Sequence, residues 1–113
     1  MKLLNRQEFL KLPSGTLYAK YGEGFFGKIQ VKFDTTSIDF YAMPLIQINT
    51  DDHIDAYQSF EDTKQCQLDF ENIMRDGYFE EEQLFAVFEA NEINSLIEIM
   101  QTALKSVENN GTP

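Results

Sequence analysis

Thr16-Leu17-Tyr18-Ala19-Lys20-Tyr21-Gly22-Glu23-Gly24-Phe25-Phe26-Gly27-Lys28-Ile29-Gln30-Val31-Lys32-Phe33 alternates apolar and polar side chains on either side of a glycine-bracketed break. Leu17, Ala19 and Tyr21 on one arm, and Ile29, Val31 and Phe33 on the other, recur at every second position, the period of a half-buried strand. Gly22, Glu23 and Gly24 supply the positive-φ freedom that a reversing connection needs, so the stretch predicts a β-hairpin. On this reading the apolar set faces the core, and Tyr18, Lys20, Lys28 and Lys32 lie on the outer face. An antiparallel sheet is therefore the framework into which the other segments must fit.

Upstream, Asn5 and Glu8 have capping-box spacing, and Leu4 with Phe9 has the spacing of a hydrophobic staple. A short helix over residues 6–11 follows, stopped by Pro13, Ser14 and Gly15. Downstream, Ile38 to Met43 predicts a third strand, and Pro44 places its junction with Leu45–Ile48 at a sheet edge or bend. Residues 49–65 are polar and acidic, with Ile54, Tyr57 and Phe60 spaced by three for a turn or two of helix. Cys66, Leu68 and Phe70 alternate as a strand, and Asp76-Gly77 marks a turn. Leu84-Phe85-Ala86-Val87-Phe88 is apolar throughout, as in a central strand covered on both faces. A last helix, capped by Asn91, carries Ile93, Leu96, Ile97, Met100, Leu104 and Val107 on one stripe, which is expected to pack on the sheet. The sum is one α+β domain over residues 1–108 and a flexible tail over 109–113. It has four or five mainly antiparallel strands, as a small curved sheet or an open SH3-like barrel, with N-terminal and C-terminal helices.

A chain of 113 residues, 42% of them apolar and with ten Phe, supports one packed core. Leu3 and Leu4 are too short a pair for a signal-peptide hydrophobic region, and no apolar run has the length of a membrane span. Cys66 is the only cysteine, which excludes an intramolecular disulfide, a multi-cysteine zinc site and a CxxC pair. A cytoplasmic protein is expected. The net charge of −10 disfavours direct binding to nucleic acid or anionic lipid. Charge is also uneven: residues 1–34 hold six basic and three acidic side chains, against three basic and sixteen acidic in residues 35–113.

The chain contains no GxSxG, P-loop, GxGxxG or HExxH pattern. His53 and Cys66 could meet only in space, and a lone cysteine in a strand is more simply a packing residue. Asp51, His53, Asp55, Tyr57, Ser59 and Asp62 echo the ligand spacing of an EF-hand, but Ala56 replaces the required Gly and Asp62 the bidentate Glu. No catalytic residue, metal or cofactor is therefore assigned. Two surfaces remain. Asp51, Asp52, Asp55, Glu61 and Asp62, with Glu80, Glu81 and Glu82, would form a negative patch for a basic protein partner if they converge. Tyr18, Lys20, Lys28 and Lys32 would offer an alternative site for a phosphate or nucleotide ligand. Each has a plainer reading, as a solvated acidic face and as lysines that discourage strand-to-strand aggregation.

Residues 4–21, LNRQEFLKLPSGTLYAKY, followed by Phe26-Gly27-Lys28 and Asp34-Thr35, resemble small uncharacterised proteins of tailed phages and prophages. Asp69-Phe70-Glu71 and Arg75-Asp76-Gly77 extend the likeness. These are turn and strand motifs without chemistry. The resemblance implies a compact acidic protein that occupies a host protein surface, as anti-CRISPR and other anti-defence inhibitors do. Sequestration of a nucleotide or signalling ligand, and virion assembly with self-association, are the alternatives.

Overall fold

The computed structural model describes residues 1–22, 24–48 and 67–111. Its elements in chain order are β1 (Lys2–Leu4), α1 (Arg6–Leu10), β2 (Leu17–Gly22), β3 (Phe25–Thr35), β4 (Phe40–Pro44), β5 (Met74–Arg75), β6 (Leu84–Val87) and α2 (Ala90–Asn110). The strands form one antiparallel six-stranded sheet in the order β1-β6-β2-β3-β4-β5. The fold is α+β, as expected, with one or two strands more than the sequence suggested, and the sheet is open.

The hairpin forms β2 and β3, and the apolar run forms β6, held between β1 and β2. Asn5 closes the expected capping box: its side chain accepts the Glu8 amide at 2.9 Å, and its own amide donates to Glu8 Oε1 at 3.5 Å. Phe9 is thereby set at the centre of the core, its ring 4.6 Å from Tyr18, 5.1 Å from Phe40 and 4.1 Å from Phe85, centroid to centroid. Leu4, Leu10, Leu12 and Val87 pack around this aromatic cluster.

The hairpin presents the opposite face to the core from the one its alternation predicts. Tyr18, Phe85 and Phe40 point toward α1 and are fully buried, and Lys32 on the same face is 1% exposed. Periodicity fixes which side chains share a face, and the position of α1 decides which face is covered. β3 also carries two irregularities. Gly27 and Lys28 stand opposite Lys20 alone between the pairs Ala19↔Ile29 and Tyr21↔Phe26, and Phe33 and Asp34 opposite Tyr41 alone between Lys32↔Ala42 and Thr35↔Phe40. Such bulges bend and twist a strand.

One strand is additional and two further expectations are corrected. β1 is too short to show a periodicity and exists because β6 offers it a pairing edge. The strand expected from Cys66 to Phe70 reduces, among the described residues, to a single bridge between Leu68 and Ile48. The last helix begins under a capping box of Glu89 and Glu92, not Asn91, runs to Asn110, and buries none of its described residues. Its apolar stripe does not cover the sheet, and Asn109 and Asn110 belong to the helix rather than to a tail.

Candidate functional site

A cleft of about 730 Å³ opens where α1 meets the β3–β4 and β5–β6 connections, lined by Arg6, Leu10, Ile38, Phe79 and Glu81 among others. Each side chain is placed by a local device. The β3–β4 connection is closed by Thr36, whose hydroxyl accepts the Asp39 amide at 3.0 Å and whose amide donates to the Asp39 carbonyl at 2.7 Å. Ser37 and Ile38 project from this turn, and Ile38 is 62% exposed. In the β5–β6 connection, Gly77 takes φ 74° and donates its amide to Asp39 Oδ2 at 3.1 Å, while Asp76 Oδ2 accepts the Tyr78 amide at 3.3 Å. The chain then turns again where the Gln83 amide donates to the Glu80 carbonyl, and the Gln83 side chain pins that turn to the Tyr21 carbonyl at 3.1 Å. Glu80, Glu81 and Glu82 occupy the turn and are all exposed.

Arg6, which lines the cleft, belongs to a largely buried ion network. Arg6 donates to the Ile38 carbonyl at 3.0 Å, lies 3.6 Å from Asp39 and 4.0 Å from Asp76, and is stacked against Phe40 and Phe79. Asp76 also pairs with Lys20 at 2.7 Å, and Asp39 with Arg75 at 3.2 Å. Breaking a buried pair strands a charge, so this network is a positional lock for the two connections. The Tyr18 hydroxyl is buried nearby with no hydrogen-bond partner, and burial, reinforced by Asp76 and Asp39, pushes its pKa up.

The geometry separates the expected site residues. Glu80, Glu81 and Glu82 are together in one turn, and Glu81 lines the cleft with Leu10, Ile38 and Phe79. Asp51, Asp52, Asp55, Glu61 and Asp62 lie outside the described residues, as do His53, Cys66 and the EF-hand-like spacing. The lysine hairpin does not form a surface site. Tyr18 is in the core, and Lys32 donates from its buried ammonium to the Leu12 carbonyl at 2.8 Å, the Phe33 carbonyl at 3.1 Å and Thr35 Oγ1 at 2.6 Å. Lys20 is paired with Asp76, which leaves only Lys28 of the four exposed. Among the described residues, no group of His, Cys, Asp and Glu is arranged to hold a metal ion.

The chain matches no family model, no curated protein and no solved structure.

Its function must therefore be argued from the cleft. Sequence reading missed Arg6, Ile38 and Phe79, which come from three distant segments. The only signal was Arg6 itself, a cation inside the N-terminal helix next to the staple. What the arrangement can do is take a side chain with an apolar stem and a cationic head, packed on Ile38 and Phe79 and ending on the carboxylates. No described helix is long and apolar enough to cross a membrane.

Proposed function

We propose that this chain is a stoichiometric protein-binding module of the host cytosol, which inhibits a basic defence or nucleic-acid-handling protein of the anti-CRISPR or other anti-defence target class. The observation that carries the reading is the run of three exposed carboxylates, Glu80 to Glu82, in a turn whose Glu81 lines the cleft with Leu10, Ile38 and Phe79, in a chain of net charge −10. Charge of one sign speeds the encounter with a basic partner, and the apolar lip of Ile38 and Phe79 supplies the short-range contact that charge alone does not. The biological setting is part of the proposal and rests on the resemblance read from residues 4–21 alone. The cation that lines the cleft does not oppose this, because Arg6 is matched by Asp39 and Asp76.

The test is affinity capture from host lysate at low and high salt, comparing the native chain with Glu80→Lys/Glu81→Lys/Glu82→Lys. One basic protein retained at low salt, released at high salt and lost with the triple variant is the expected result. Equal retention of that protein by the triple variant would remove that turn from the interface.

A further inference from the structure

α2 is 21 residues long, about 31 Å at the helical rise, and presents an apolar seam that nothing described covers. Ile97 is 43% exposed, Met100 57%, Leu104 57% and Val107 41%. With Ala90 and Ile93, these residues fall at intervals of three, four, three, four and three, which is the two-position repeat of a coiled-coil seam: Ala90, Ile97 and Leu104 in one position, Ile93, Met100 and Val107 in the other. We infer that α2 is a self-association helix, which pairs antiparallel with α2 of a second copy of this chain.

Charge selects a second copy as the occupant and fixes its direction. The positions flanking the seam are Glu89, Asn94, Leu96, Gln101, Ala103, Glu108 and Asn110, with only two charges, one at each end, in a strongly acidic chain. Two copies can therefore close without facing carboxylates, whereas a basic partner would find almost nothing on these flanks to pair with. In the antiparallel arrangement Ala90 of one copy lies opposite Val107 of the other, Ile93 opposite Leu104, and Ile97 opposite Met100. Every layer pairs the two seam positions, and Glu108 falls on the side of Asn94. A parallel pair would hold the two net-negative bodies, residues 1–88 with eight basic and fifteen acidic side chains, side by side at one end. The antiparallel pair sets them at opposite ends of a helix about 31 Å long, well beyond the ~8 Å screening length at physiological salt. The opposed helix dipoles favour the same direction. A stripe one third of the way round such a helix covers on the order of 400 Å² per copy. At about 800 Å² over both copies this lies below the range of stable interfaces, so the dimer is a weak and reversible one.

Sedimentation equilibrium of the full chain from about 1 to 300 µM tests this. The expected result is a monomer–dimer equilibrium that Leu104→Glu weakens about tenfold or more, with unchanged thermal unfolding of the sheet because α2 contributes nothing to its core. A chain that stays monomeric to the top of that range, or a dimer that Leu104→Glu and Met100→Glu leave intact, overturns the inference. Direction is read separately in a Cys66→Ser background. Ile93→Cys mixed with Leu104→Cys forms the mixed disulfide far faster than either variant cross-links to itself; preferential self-linking of each would overturn the antiparallel arrangement.

Discussion

Lys32→Met is the sharpest test of how this core is held. The native ammonium is buried on the α1 side of the sheet and ties the α1–β2 connection to β3 by donating to Leu12, Phe33 and Thr35. Methionine nearly conserves the volume and deletes the donors. The Leu12 and Phe33 carbonyls then lose that partner at about 1–3 kcal/mol each, while Thr35 keeps its own bond to the Leu10 carbonyl at 2.8 Å. Relief of a buried cation offsets part of this, so the net loss is about 2–4 kcal/mol. Against a domain stability of roughly 5–15 kcal/mol, the variant still folds, and urea unfolding measures the difference. Burial lowers the Lys32 pKa, opposed by Asp34. Between that lowered value and the unfolded pKa of about 10.4 the unfolded chain binds more protons, so native stability gains with rising pH in that window. Methionine lacks the term, and the gap between native and variant therefore widens as pH is raised toward 10. A loss below about 1 kcal/mol, or a gap that stays constant with pH, would refute the account of Lys32 as a buried, hydrogen-bonded cation.

Two further substitutions probe the α1 side of the fold. Asn5→Ala removes one half of the capping box and is expected to cost about 1 kcal/mol by chemical denaturation, with Glu8→Ala adding little once Asn5 is gone. Phe9→Ala empties the site where three aromatic rings converge and is expected to cost about 3–5 kcal/mol, read as loss of near-ultraviolet circular dichroism at a lowered denaturant midpoint; a change below about 1 kcal/mol would mean that α1 is not the lid of this core.

The sequence by itself determined the local structure. Alternation and the Gly22–Gly24 break specified the β2–β3 hairpin, Asn5 and Glu8 the start of α1, the run at 84–88 a strand paired on both sides, and the stripe from Ile93 to Val107 a long amphipathic helix. Each of these signals is carried by residues within about one turn or one strand of each other, where periodicity and capping act. Only the tertiary structure decided which face of the hairpin is buried, because α1 closes over the face of Tyr18 and Lys32 and brings Phe9 against it, a contact that the hairpin's own alternation does not record. That choice sent Tyr18 and Lys32 inside and dissolved the lysine surface. It likewise decided that α2 leaves its stripe uncovered, and that Arg6, Ile38 and Phe79 line one cleft beside Glu80 to Glu82. Arg6 stands 33 residues from Asp39 and 70 from Asp76, and such partners are joined by the closing of the chain, which no short-range pattern records.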